Sequence, residues 1–347
     1  MRQVETIIVG LGLAGATLAL MLRHRRRDIA VISDGNAGAS QAAAGLITPV
    51  IGKNLKPVPR FGQWLSAAIE HYRAEERTYD IAILHRQHAR RLLTTSKEQC
   101  VWDKRSKLGL PFARPTGDAN DIWPQPLAAG QWLTLAPCYR LNVARYLQHV
   151  TAQLHQDNAL IESSLIDADI DVENGGITID SLQLRARQLV FCRGAADQTN
   201  PWFDALHWRC ANGEVIELRT PKTLVQRIHA EGYWLTPIDA RRALFGATYN
   251  WESPTSTPST AAREVLRQSF SKLFGFDPDI CDQRAGTRPI VAGRRPVLAQ
   301  APAHDNLYLF NGLGSRGALT APGLALALTN HLLDGDRLPP QFGLDNR

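Results

Sequence analysis

The sequence predicts an α/β protein: a Rossmann-type dinucleotide-binding domain with a second, mainly antiparallel β domain set into it. Three observations point there. Ile7-Ile8-Val9-Gly10-Leu11-Gly12-Leu13-Ala14-Gly15 reads as a buried strand, a G-x-G-x-x-G turn and the start of a helix. The middle of the chain carries short strands with Pro and Gly at the breaks. Near the end, Leu307-Tyr308-Leu309-Phe310 leads through a second glycine-rich turn into a long apolar helix, Ala318 to Leu333.

In the first turn, Gly10 permits the tight bend and Gly12 lets the backbone approach a pyrophosphate. Gly15, with the small Ala19, lets the helix pack close to the strand. The helix start at Leu13 and Ala14 offers free N–H groups and a positive dipole end to phosphates. A second strand, Ile29 to Ser33, ends at Asp34, about 20 residues past the turn, where an acid suits a ribose hydroxyl pair. Residues 62–78 read as an amphipathic helix with Trp64, Leu65, Ala68, Ile69 and Tyr72 on one face. The Pro- and Gly-rich stretch from Pro111 to Pro137 reads as loops. Residues 141–156 read as a helix, followed by strands at 159–162, 165–172, 176–180 and 188–192. The last of these stops at Cys192-Arg193-Gly194. Further strands are expected at 212–219, 223–229, 232–237 and 243–249, then a polar loop from Ser253 to Ser259 and a helix over 260–274. This order divides the chain into a discontinuous cofactor domain (1–78, 140–205 and 283–347) and a substrate domain (79–139 and 206–282).

The chain has 347 residues, 44% hydrophobic and 21% charged, which suits a globular protein of two domains. Five scattered cysteines form no C-x-x-C pair, which argues against a disulfide framework or a zinc site and suits the reducing cytoplasm. No metal site is expected. The apolar N-terminal run has its charges, Arg23 to Arg27, after it rather than before it, unlike a signal peptide. No segment is long and apolar enough to span a bilayer. A net charge of +6 permits a polyanionic partner without requiring one. Arg23-His24-Arg25-Arg26-Arg27 lies at a helix C-terminus, where cations complement the dipole; nucleic-acid contact is the alternative. His85-Arg86-Gln87-His88 with Arg90-Arg91 reads as a solvated basic face.

A nicotinamide enzyme needs one phosphate turn. The second, Gly312-Leu313-Gly314-Ser315-Arg316-Gly317, makes the chain resemble the FAD-dependent D-amino-acid oxidase superfamily, which includes glycine oxidase and sarcosine oxidase. The resemblance implies a D-amino-acid oxidase-like fold. The first turn and Asp34 match the family's adenosine-diphosphate site. Gly38-Ala39-Ser40-Gln41-Ala42-Ala43-Ala44-Gly45-Leu46 matches its second motif, which places Ser40, Ala43, Ala44, Gly45 and Leu46 near pyrophosphate and flavin. Val190 to Ala195 is similar to its third strand-to-glycine contact at Gly194, although Arg193 departs from the usual pattern. The block Phe310 to Leu328 resembles the oxidase half of the bifunctional enzyme that modifies the wobble uridine of tRNA. No additional methyltransferase domain is expected in this chain.

The resemblance implies non-covalent FAD, because no cysteine follows Arg288 where sarcosine oxidases attach flavin. It implies oxidation of the C–N bond of an amino acid or N-substituted glycine, a small-molecule amine, by hydride transfer. The alternatives are conversion of a carboxymethylaminomethyl uridine of tRNA to its aminomethyl form, and a flavin-binding protein without turnover. Arg288, in Gly286-Thr287-Arg288-Pro289, matches the arginine that forks the substrate carboxylate. Arg316 faces either substrate or the flavin carbonyl edge, at which the Gly317 and Ala318 amides point in either case. Tyr233-Trp234-Leu235-Thr236-Pro237 resembles the strand whose aromatic residue lines the pocket; on an alternating strand, Tyr233 or Trp234 faces in, but not both. Arg284, Arg294 and Arg295 are expected to be structural or at the surface. The strand Ala243 to Ala247 lacks the lysine that sarcosine oxidases use with oxygen, which leaves the electron acceptor open.

Overall fold

The strand Arg2–Val9 ends in an apolar run, Ile7 to Val9, that is covered on both faces. Ile8 packs with Val31 and Val190 into one core, whereas Ile7 and Val9 pack with Ala30, Ile32, Leu189 and Phe191 into another. The computed structural model describes residues 1–36, 38–52, 54–110, 112–117, 124–173, 175–221, 224, 227–252 and 256–344, with the backbone alone over 227–231. Lys53 and residues 253–255 of the expected polar loop lie outside the described residues.

Seven α-helices are described: α1 Leu13–His24, α2 Ala39–Ala42, α3 Phe61–Tyr79, α4 Ser96–Lys107, α5 Val143–Gln156, α6 Thr260–Phe274 and α7 Gly317–Asp334. In the first sheet, Arg2–Val9 lies between Ile29–Ser33 and Leu184–Phe191, all parallel. Leu160–Glu162 extends one side in parallel, and His304–Asn311 runs parallel to Leu184–Phe191 on the other. Helices α1, α3, α5 and α7 bury their apolar faces on the side of Ile8, through Leu18, Leu65, Tyr146 and Leu324. The carboxyl ends of the parallel strands therefore point the glycine turns at Gly10, Gly194 and Gly312 to one edge of the sheet, where α/β proteins bind ligands.

The second sheet has nine strands. Its order is Asp279–Arg288, Ala211–Arg219, Arg242–Gly246, Tyr233–Pro237, Arg227–Glu231, Leu84–Leu93, Gln131–Leu141 and Leu46–Ile47, with Ala113–Thr116 also on Gln131–Leu141. The pairings are antiparallel apart from Arg227–Ala230 against His88–Arg91, which is parallel. Helix α6 covers one end through Leu266, Phe270 and Phe274 against Ile216, Leu235 and Phe245. Asp279–Arg288 belongs to this sheet throughout, so it crosses position 283, the expected domain boundary.

Four expectations are corrected. The stretch from 111 to 137 is not all loop: 113–116 and 131–141 pair as strands, because Trp132, Leu133 and Leu135 are buried in the sheet. Helix α4 was not expected, since Trp102 alone of its residues is buried and no apolar stripe marks it; a capping box, with the Glu98 amide donating to Thr95 Oγ1 at 3.2 Å, starts it. The strand expected over 165–172 is a 3₁₀ turn, Asp167–Asp169, followed by a short strand, Asp171–Glu173. The basic segment around His85 and His88 is a strand that buries Arg91 against Glu98 at 3.2 Å. The run Arg23 to Arg27 is spent on ion pairs: Arg23 with Asp157, Arg25 with Asp334 at 2.9 Å and Arg27 with Glu5 at 3.5 Å. Among the described residues no helix is long and apolar enough to cross a membrane, and no cluster of side chains could hold a metal. All five cysteines are free.

Candidate active site

Gly10 ends its strand at φ +104°, a conformation side-chain-bearing residues avoid, and a Cβ there would stand 2.5 Å from the Cys192 carbonyl. A Cβ on Gly15 would stand 1.9 Å from the Gly10 carbonyl, so only glycine lets α1 begin this close to the strand. Gly15 does not line the cavity that opens beside it; Gly10, Gly12, Leu13 and Ala14 do. Ser40, at the start of α2, accepts the Leu13 amide at 3.0 Å and ties the second motif to the first turn. Ser40, Ala43, Ala44, Gly45 and Leu46 all line the cavity. So does Asp34, whose carboxylate accepts the Asn36 amide at 3.0 Å at the tip of its strand.

At the other end of the chain, Gly312, Gly314, Ser315, Arg316, Gly317 and Ala318 line the same cavity, as does Gly194. Asn311 connects these two turns. Its Nδ2 donates to the Gly194 carbonyl at 2.9 Å and to Asp197 at 2.7 Å, and its Oδ1 accepts the Gly312 amide at 2.8 Å. Sequence reading missed Asn311; an Asn directly before a glycine turn was the available signal. Arg193 also lines the cavity, but its charge is matched by acids. It pairs with Asp197 at 2.7 Å and Asp167 at 2.6 Å, and so it braces the turn.

The cavity measures about 1560 Å³, beyond the ~1,000 Å³ that holds an ordinary single ligand. Helices α1 and α7 both point their N-termini into it with no acidic residue in the first turn, and neither N-cap residue, Gly12 or Arg316, caps its helix with its own side chain. Their amides and dipoles favour anions. The outline has room for a dinucleotide, whose diphosphate Gly12 and Ser40 would meet, whose ribose Asp34 would meet and whose ring Gly317 and Ala318 would meet.

Past the α7 turn the cavity is cationic. Arg288 Nη1 donates to the carbonyls of Asn212 at 3.3 Å and Thr248 at 3.2 Å, and its guanidinium lies 4.1 Å from the Tyr249 ring centroid. A Cβ on Gly213 would stand 1.9 Å from that Nη1, so a glycine in the neighbouring strand makes room for the side chain. Arg316 donates to the Arg294 carbonyl at 3.0 Å. Among the described residues neither Arg288 nor Arg316 has a carboxylate partner. Burial pulls both guanidinium groups below the ordinary arginine value, yet arginine keeps its charge. Two uncompensated cations in a part-buried site attract an anion.

Trp234 lines the cavity, packed near Ala44, Leu46 and Val215. Tyr233 does not; its ring lies 5.3 Å from Phe245, on the α6 side. Strand alternation separates these neighbours. Tyr249 and Trp251 also line the cavity and were missed. They follow the strand Arg242–Gly246 in a loop where no periodicity marks them. Arg284 pairs with Glu217, and Arg295 donates to the carbonyls of Gln341 and Gly343 at 2.9 Å, so both brace the structure.

The chain is similar to the tRNA 5-methylaminomethyl-2-thiouridine biosynthesis bifunctional protein MnmC of Idiomarina loihiensis, 26% identical over 92% of this chain and 54% of that protein. The chain thus spans about half the length of that relative. It is also similar to the glycine oxidase of Geobacillus kaustophilus, 24% identical over 93% of this chain and 92% of that protein. The crystal structure of glycine oxidase from Geobacillus kaustophilus superposes with a TM-score of 0.85 at 22% identity, covering both chains fully. That of iminodiacetate oxidase from Chelativorans sp. BNC1 superposes with a TM-score of 0.80 at 18% identity, over 98% of this chain and all of that one. Residues 5–331 match the model of the FAD dependent oxidoreductase (DAO) family, and the chain belongs to that family.

Proposed function

We propose that this FAD-dependent amine oxidoreductase acts on the C–N bond of an amino acid or N-substituted glycine. The observation that carries this reading is Arg288: a part-buried guanidinium facing a cavity, held by two carbonyls and a tyrosine ring, with no carboxylate of its own among the described residues. When bound, FAD supplies the two-electron acceptor. Arg288 would fork the substrate carboxylate, which fixes the α-carbon in the cavity. Arg316, Gly317 and Ala318 would hold positive potential at the cavity wall, the arrangement that stabilises developing negative charge. Trp234 would exclude water from one side. Loss of a hydride from the α-carbon of the neutral amine leaves an iminium ion, which gives up its N–H proton to solvent to become the imine, and water cleaves that to ammonia or an amine and a carbonyl compound. Five free cysteines suit a cytoplasmic setting. FAD is held without a covalent bond in this reading.

The test is anaerobic mixing of the FAD-loaded protein with a panel of amino acids and N-substituted glycines. Bleaching of the flavin absorbance by at least one carboxylate-bearing amine supports the reading. Bleaching by none favours a flavin protein without turnover.

A second reading has its own support. The Idiomarina relative is named for tRNA 5-methylaminomethyl-2-thiouridine biosynthesis, and the net charge of +6 suits RNA. The same chemistry on a carboxymethylaminomethyl uridine would release glyoxylate. Nucleoside analysis of tRNA after deletion of the gene decides: an unchanged wobble-uridine profile removes this reading.

A further inference from the structure

The Arg288 site continues outward in an ordered series of rings and cations. Tyr249 stands on Arg288, and the Trp251 ring follows, 5.8 Å from Tyr249 between centroids at an interplanar angle of 31°. Beyond it lie Arg294 and Arg209, with guanidinium carbons 5.8 Å and 5.9 Å from the Trp251 centroid. Both rings line the cavity and both are open to solvent, Tyr249 by 52% and Trp251 by 43%. Both guanidinium carbons lie over the indole at nearly 6 Å, the outer limit of a cation–π contact, so neither packs tightly on the ring, and part of it stays open to solvent. Among the described residues neither Arg209 nor Arg294 pairs with a carboxylate. The segment is not isolated from the site, because the Arg294 carbonyl receives the Arg316 guanidinium.

We propose that Trp251, with Arg209 and Arg294, forms a specificity subsite at the cavity mouth for a planar aromatic group that carries negative charge, borne on the substrate's amine nitrogen. The inference rests on the reading of Arg288 as the carboxylate clamp. A half-exposed indole on the cavity wall, next to the exposed Tyr249 ring, offers a flat π-face on which a ring can stack. Two unpaired arginines beside it add attraction for an anionic substituent. The two sources of such a group are an aryl-substituted amine that bears an acidic substituent and a nucleotide, which share a flat π-face and a negative charge.

Two pairs of unreactive probes separate this subsite from the clamp. Methoxyacetate and benzyloxyacetate replace the amine with an ether, so they bind without being oxidised. Methyl phosphate and benzyl phosphate carry a charge and lack the glycine-like arm. Calorimetric titration of the FAD-loaded protein should show each benzyl compound binding roughly 5- to 150-fold more tightly than its methyl partner, the range of one stacked ring. Trp251→Ala should erase that preference without changing methoxyacetate affinity, and Trp251→Phe should keep most of it. Arg209→Gln with Arg294→Gln should weaken benzyl phosphate more than benzyloxyacetate. Uridine monophosphate displacing benzyl phosphate would identify the nucleotide as the source, and no displacement would identify the aryl amine. Equal binding of the methyl and benzyl compounds, or a preference that survives Trp251→Ala, overturns the subsite. If neither ether binds while benzyl phosphate binds through Trp251, the clamp reading fails and the subsite stands.

Discussion

The Tyr72 hydroxyl donates at 3.0 Å to the carbonyl of Ala318, the carbonyl that Pro322 leaves without a helical partner. Proline has no N–H, so the fourth residue before it loses its acceptor role in the helix. Ala318 lines the cofactor cavity in the first turn of α7, and Tyr72 reaches it from the fully buried face of α3. A buried carbonyl without a donor costs about 1–3 kcal/mol. Tyr72→Phe should therefore lower stability by that amount in urea denaturation. Pro322→Ala restores an amide within α7, so Tyr72→Phe should cost less in that background. Equal costs in both backgrounds would show that Tyr72 stabilises by packing alone.

His71 carries a pH dependence whose direction follows from burial. It sits with its Nε2 2.8 Å from the Tyr146 hydroxyl and its ring 5.2 Å from that of Tyr72. Burial first, and the nearby His24 second, push its pKa down to about 3. The folded protein thus holds His71 neutral, whereas the unfolded chain binds a proton below pH ~6.5. Its contribution is fully present above that value and is lost as pH falls toward the folded pKa. Between pH 7 and pH 5 the loss amounts to about 2 kcal/mol. His71→Gln should flatten that part of the stability profile; an unchanged slope would assign it to other groups.

Gly213 lines the cavity and is expected to control the Arg288 guanidinium through the side chain it lacks. An alanine Cβ would meet Arg288 Nη1 at 1.9 Å, and the side chain must swing away. Gly213→Ala should leave FAD bound, since the turns at Gly12 and Gly312 are elsewhere in the cavity. The KM for carboxylate-bearing amines should rise about tenfold or more, as expected when a substrate is misplaced by an ångström. If KM stays level, the guanidinium has room to relax or does not hold the substrate.

The cofactor end of the cavity was legible in the sequence and the substrate end only in part. Gly10, Gly12 and Gly15 are legible because strand, turn and helix are consecutive and the spacing marks the motif, even though what bars a side chain at Gly10 and Gly12 is Cys192 and Ser40, far along the chain. The same holds for Gly312 to Ala318. The substrate end is assembled across strands. Gly213 matters because Arg288, 75 positions later, lies over it, and Tyr249 matters because it meets Arg288 across the sheet. No spacing records such contacts. Trp234 and Tyr233 show the intermediate case, where alternation says that one faces the cavity but not which one. Helix α4 was missed because its charge-rich face hides the single buried anchor, Trp102.

Arg288 and Arg316 compete for the role of clamp, and substitution separates them. Arg288 touches the carbonyls of Asn212 and Thr248 and the ring of Tyr249, all at the substrate end. Arg288→Ala should leave FAD bound and lower kcat/KM by roughly 30- to 1000-fold, the loss of a charge-assisted pair worth about 2–4 kcal/mol. Arg288→Lys should recover little, since an ammonium cannot reproduce the planar fork. Carboxylate inhibitors should weaken in parallel, whereas neutral amines should not. Arg316 caps α7 beside Gly317 and Ala318, so Arg316→Ala should shift the flavin spectrum as well as the rate. Carboxylate affinity that survives Arg288→Ala and disappears in Arg316→Ala would move the clamp to the helix cap, and with it the end of the cavity from which the substrate enters.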